Sequence, residues 1–240
     1  MNKSIVLEIC VETLAAAVAA ERGGADRIEL CEELLAGGVT PRAELMRAVR
    51  EQVKVPVFAM IRPRSGDFHF SDAEFEQMKR EIEAAKAAGM NGVVFGILQR
   101  DGAVDVQRTT ELVRFAQPLP VTFHRAFDEL PDLLDGLEDV IATGAARILT
   151  SGGKPHVEQG IAAIATLVSA SGGRIEIVAG GGIRAENLER LLRRTQVREV
   201  HAGLGTVLPY PRADHEQFEV EVRRLAEILN REHVKTTNKY

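Results

Sequence analysis

Two matching points of the chain, Glu8 with Cys10 and Glu29 with Cys31, are the first places where residue type and spacing suggest chemistry. Residues two apart on a strand share a face, so each pair presents a carboxylate and a thiol together. Neighbouring parallel strands lie about 4.8 Å apart. A register that aligns the two segments would set carboxylate beside carboxylate and thiol beside thiol. Thiolates select soft ions such as Cu(I) or Zn, although two sulfurs alone make an incomplete zinc site. A lone cysteine is most often a small buried hydrophobe. That the chain's two cysteines fall at equivalent points argues for more.

Further along, Met60-Ile61-Arg62-Pro63-Arg64 ends an apolar run, with Arg62 sharing the parity of Met60 and Arg64 just above it. Guanidinium groups there suit a bidentate carboxylate or phosphate; the plainer role for Arg62 is to neutralise Glu8 or Glu29. Thr122-Phe123-His124 ends another run, with Asp128 four residues on. That spacing suggests an acid–base histidine held in one tautomer by a carboxylate. Glycine turns follow the last three runs, at Ser151-Gly152-Gly153, Gly180-Gly181-Gly182 and Gly203-Leu204-Gly205, with His201 just before the last. Exposed amides in such turns bind phosphate, and tight strand–helix geometry is the alternative reason for the glycines.

The elements that must position these groups repeat with a beat of about 30 residues. Apolar runs begin near Ile5, Arg27, Val57, Gly92, Val121, Arg147, Ile175 and Glu199, each followed by a helix-like stretch. Eight such units predict a single (β/α)8 barrel of the TIM type over 1–232, whose chemistry sits at the C-terminal ends of the strands. The segment 233–240 lacks a periodic pattern and is expected to be a flexible tail. Phe75, Met78, Ile82 and Ala85 form one amphipathic stripe, and Phe218, Val222, Leu225 and Leu229 another. Ser71 with Glu74 predicts a capping box, and Thr40-Pro41 an N-cap followed by proline at the first helical position. Gly24, Gly89 and Gly144 head a weak internal repeat and predict C-caps of odd-numbered helices. A doubly wound sheet would usually open with a glycine-rich first turn, which is missing after the first run here.

The 240 residues carry a formal charge of −5 with 45% hydrophobic and 27% charged residues. That balance fits one globular domain and argues against a nucleic-acid binder with a basic face. The basic cluster Arg190, Arg193, Arg194 is expected to be a solvated helix face. No apolar run approaches the ~20 residues of a membrane span. With two cysteines and no signal-peptide layout the expected location is the cytoplasm. Leu133, Leu134, Leu137, Val140 and Ile141 form a helix face apolar enough to permit a homo-oligomer.

These segments resemble the CutC family, the copper homeostasis protein family. The resemblance is carried by Glu8-Ile9-Cys10-Val11, Gly24 to Cys31, Gly37 to Pro41, Met60 to Arg64 with Gly66-Asp67-Phe68, Gly92 to Gly96, Thr122 to Asp128, Arg147 to Gly153 and Gly180 to Ile183. It implies a TIM-type barrel, a cytoplasmic role in copper handling, and Cu(I) binding at Cys10 and Cys31. The residues themselves also describe an enzyme-like pocket. Glu8, Glu29, Arg62, His124 and Asp128 are candidate catalytic groups for proton transfer of the lyase or isomerase kind. Arg64, Ser151, Gly152, Gly180, Gly181, Gly182 and His201 would then bind a small phosphorylated or carboxylated metabolite. Copper ion and small anionic metabolite are thus the two expected partners.

Overall fold

A computed structural model describes residues 5–206 and 214–237 of the chain. Eight parallel strands, Val6–Val11 (β1), Arg27–Leu30 (β2), Val57–Met60 (β3), Gly92–Phe95 (β4), Val121–Phe123 (β5), Arg147–Thr150 (β6), Glu176–Gly180 (β7) and Glu199–Ala202 (β8), close into a barrel in sequence order. Around it run Leu14–Gly23 (α1), Ala43–Gln52 (α2), Asp72–Ala87 (α3), Val106–Ala116 (α4), Leu133–Thr143 (α5), Val157–Ser171 (α6), Ala185–Thr195 (α7) and His215–Thr237 (α8). Every strand begins within one residue of the expected position, and the architecture is the expected (β/α)8 barrel.

Strand parity divides the core in two. Leu7, Ile9, Val11, Ile28, Leu30, Ala59 and Val93 belong to the large apolar cluster shared with the helices. Cys10, Cys31, Phe58, Met60 and Val94 form a second, smaller cluster, because alternate strand residues face the barrel interior. The helices dock by the expected stripes: Phe75, Met78, Ile82 and Ala85 are buried on α3, and Phe218, Val222, Leu225 and Leu229 on α8. Ser71 and Glu74 form the expected capping box. Gly24 and Gly144 cap α1 and α5 in the left-handed conformation, and Gly89 follows α3 with φ 76°. After α7, the remaining odd-numbered helix, Gln196 takes that conformation.

Two expectations are corrected. α2 starts at Ala43 with Arg42 at its N-cap. Thr40 instead donates from Oγ1 to Glu81 at 2.6 Å and accepts the Arg62 amide at 2.8 Å. α8 continues to Thr237, and 238–240 lie outside the described residues. The β1–β2 register pairs Cys10 with Glu29 and Glu8 with Arg27, so the two carboxylates are not opposite one another. The stagger of strands that closes a barrel shifts the apparent match by two residues.

On α5, Leu137 and Val140 are fully buried and Leu133 and Ile141 pack against the core, leaving Leu134 as the exposed large apolar residue of that face. The exposed Arg193 pairs with Glu189 and with the buried Glu232. No helix among the described residues is long and apolar enough to cross a membrane.

Candidate functional site at the barrel mouth

The barrel interior has a charged floor. Arg27, at the start of β2, donates from Nε to Glu8 and from Nη2 to Glu199; Arg147 reaches Glu199 at 3.1 Å. The Phe58 ring lies beneath both guanidinium carbons, 5.0 Å from that of Arg27 and 5.1 Å from that of Arg147. Gly92 makes room for it, since a Cβ there would stand 2.6 Å from the ring. Burial alone would push the Glu8 carboxyl up, but the Arg27 guanidinium and the His201 ring hold it at about 2. Glu8 is therefore a fixed anion inside the barrel.

His201 links this floor to the cavity above it. Its Nδ1 meets Glu8 Oε1 at 2.8 Å and lies 4.0 Å from Glu29 Oε2. Burial disfavours the charged ring, yet Glu29 and Glu8 together raise its pKa above the ordinary value. Beside it, Cys10 Sγ and Cys31 Sγ are 3.6 Å apart, and ligand atoms of Cys10, Glu29 and His201 lie within 4.8 Å of one another. Glu29 Oε2 is buried without a hydrogen-bond partner, and burial pushes that carboxyl up. The bond to Cys31, reinforced by burial, pushes the Cys10 thiol well up. The loop after β2 closes over the sulfurs: Gly38, at φ +81°, would place a Cβ 3.3 Å from Cys31 Sγ. A larger residue would be held off the thiol and strained in this conformation.

The opposite wall is cationic. Arg62 is 5% exposed and donates to the carbonyls of Gly37, Gly38 and Gly66 at 3.1, 3.1 and 2.6 Å, pinning two loops. Phe68 packs against it with the guanidinium carbon 4.7 Å above the ring, and against His124 at 4.8 Å between centroids. His124 Nδ1 accepts the Ala126 amide at 3.2 Å, which assigns the proton of the neutral ring to Nε2. Burial, with Arg62 adding to it, lowers this histidine to about 3, so the ring is neutral at physiological pH.

Between the two walls is a cavity of about 200 Å³, room for a small molecule rather than a coenzyme. Of the residues singled out by sequence, the lining includes Cys10, Glu29, Cys31, Arg62, His124, Gly181, Gly182 and His201. Glu8 is beneath, in the floor. Arg64 bonds Glu74 at 2.6 Å and Asp67 at 2.9 Å, tying the β3–α3 loop to the start of α3. Asp128 does not touch His124. It accepts from Thr150 Oγ1 and from the amides of Ser151 and Gly153, and pairs with Arg125 at 2.8 Å. Ser151 and Gly152 belong to that turn, where a Cβ on Gly152 would strike the Gly160 carbonyl at 2.6 Å. Gly180 lies in β7 against Leu149 and His201. Sequence reasoning missed Arg27, which rather than Arg62 neutralises Glu8, and Arg125, which lines the cavity. Arg125 directly follows His124, and Arg27 shares the strand face of Glu29 two residues on, and those spacings were the available signal.

The CutC family model matches residues 5–206. The chain is 46% identical over 202 residues to a mouse copper homeostasis protein cutC homolog, covering 84% of this chain and 74% of that protein. A CutC family protein of Vibrio campbellii is 46% identical over 205 residues, 85% of this chain and 83% of that one. The crystal structure of a CutC protein from Streptococcus agalactiae superposes with a TM-score of 0.78 at 33% identity, covering 82% of this chain and 97% of that chain.

Proposed function

Because the chain belongs to the CutC family, whose relatives bear the name of copper homeostasis proteins, we propose that its barrel mouth receives copper as Cu(I), with Cys10 and Cys31 as the principal ligands. The observation that carries this reading is the 3.6 Å separation of the two sulfurs beside a carboxylate oxygen, Glu29 Oε2, that has no hydrogen-bond partner. Metal–sulfur bonds of about 2.3 Å span that separation through one ion. Soft thiolates favour Cu(I) over hard cations.

The neighbouring groups fit the donor set. The Glu8 carboxylate bonded to Nδ1 of His201 fixes that ring, as a carboxylate commonly does for a metal-ligating histidine. Nε2 is then the nitrogen free to join the sulfurs once its proton leaves. Loading also displaces thiol protons, because the ligand is the thiolate. We place this chemistry in the cytoplasm, where reducing conditions keep both cysteines free.

The test is a titration of the reduced protein with Cu(I) against a competing chelator, beside the Cys10→Ser/Cys31→Ser variant. One-to-one binding that the double substitution abolishes, with the far-ultraviolet dichroism unchanged, is the expected result. Binding of equal affinity in both proteins would remove the thiols from the copper site.

A further inference from the structure

The cationic wall of the mouth uses none of the proposed copper ligands, and it holds two buried donors with nothing to donate to. Arg62 Nε and His124 Nε2 are both without a hydrogen-bond partner, although their residues are 5% and 4% exposed and both line the same cavity. Arg62 is also a buried cation whose hydrogen bonds all go to carbonyls; no carboxylate among the described residues pairs with it. Buried charges are ordinarily paired, and buried donors ordinarily bonded. Both exceptions fall against one aromatic ring, Phe68, which contacts the guanidinium and the imidazole.

We infer that this wall is an oxyanion subsite, binding the carboxylate or phosphate head of a small metabolite between Arg62 and His124. The guanidinium supplies the positive charge and a donor in fixed planar geometry. The imidazole supplies a second, uncharged donor, because its Nδ1 is committed to the Ala126 amide. Arg125 and the Gly181–Gly182 turn border the same cavity. A side chain at position 181 would crowd the Arg125 guanidinium at 3.3 Å, so glycine lets that second cation lie close to the turn. The turn after β7 is also where this architecture commonly holds phosphate. The cavity of about 200 Å³ limits the ligand to a small molecule. Its far end would face Cys10, Cys31 and Glu29 across the mouth.

The assignment is tested by nuclear magnetic resonance titration of the folded, metal-free protein with inorganic phosphate and separately with acetate, at constant ionic strength. Saturable shifts at Phe68, His124 and Gly181 with at least one probe are expected, and which probe saturates identifies the head group. Arg62→Met and His124→Phe each weaken that binding about tenfold or more, the scale of a charge-assisted bond. Cys10→Ser/Cys31→Ser leaves it unchanged, which separates this inference from the copper reading. If Arg62→Met fails to fold, His124→Phe carries the same comparison. Saturable binding of neither probe, binding indifferent to His124→Phe, or loss of binding in the cysteine variant each overturns the assignment.

Discussion

The floor and the mouth of the barrel contain similar residue types a few ångströms apart and treat them in opposite ways. In the floor, Glu8, Arg27 and Glu199 satisfy one another through bonds whose geometry leaves neither carboxylate unpaired. Arg147 Nη1 is the exception there. In the mouth, Glu29, Arg62 and His124 each keep a buried atom with no hydrogen-bond partner. The two histidines repeat the contrast. His201, bonded to Glu8, is shifted towards its charged form, while His124, beside Arg62, is shifted away from it. A closed set of charges holds a fold in place; open valencies gathered on one cavity are the mark of a ligand site. The barrel therefore places a self-sufficient ionic layer beneath a site that needs something from outside.

The strongest way to break this comparison is to open the floor. Arg27→Met leaves the Glu8 and Glu199 carboxylates buried, with Glu8 retaining only His201, and a loss of about 3–5 kcal/mol is expected. Equilibrium unfolding in urea measures it. A loss below about 1 kcal/mol would show that the floor charges are solvated and that the contrast with the mouth is false.

Acid sharpens the comparison because each region has its own pH window. His124 is held at about 3 against an ordinary 6.5, so between those values the unfolded chain binds a proton that the native ring does not. Stability is therefore lost as pH falls from about 6.5 to 3, by up to roughly 5 kcal/mol. Glu8, at about 2 against 4.5, gives a contribution present above pH 4.5 and lost as pH falls towards 2, on the order of 3 kcal/mol. In His124→Phe the first window should flatten while the second persists. His201 has the opposite sign: its raised value gives stability that is full below 6.5 and declines as pH rises through the folded pKa. Imidazole resonances read this directly, with His201 still protonated at a pH where His124 is neutral. Two rings titrating together near 6.5 would contradict the geometry of both regions.

How much of this could be read from the chain differs between fold and site. Strand starts at Arg27, Val57, Gly92, Val121, Arg147 and Glu199 were legible because each apolar run is short and set off by a local signal. The capping pair Ser71–Glu74 was legible for the same reason, as a contact between residues three apart. Cys10, Cys31, Glu29, Arg62, His124 and His201 were legible as strand-end residues, since the barrel brings those ends to one place. Their partners were not. The pairing of Glu8 with Arg27 depends on the stagger between β1 and β2, and that of Arg27 with Glu199 on barrel closure across 172 residues. Asp128 shows the limit of spacing: four residues from His124, it turns instead to Ser151 and Gly153, whose amides sit where a long-range contact places them.

The smallest expected effects come from two glycines four residues apart, Gly92 at the floor and Gly96 just beyond the end of β4, one serving each region. A Cβ at Gly92 would stand 2.6 Å from the Phe58 ring, which lies against two guanidiniums. A Cβ at Gly96 would stand 2.7 Å from His124 Nδ1 and 3.1 Å from the Phe123 ring. Overpacking of this kind costs about 1–3 kcal/mol. Gly92→Ala is expected at the upper end of that range, since Phe58 is held between charged neighbours that are themselves fixed. Gly96→Ala is expected at the lower end, because His124 borders the cavity and its ring can move into it. That movement lengthens the bond from the Ala126 amide to Nδ1, so the His124 imidazole resonances should shift while those of His201 stay in place. Equal losses of stability, or a His201 shift in Gly96→Ala, would mean that the floor and the mouth move as one unit rather than as a rigid layer beneath an adaptable one.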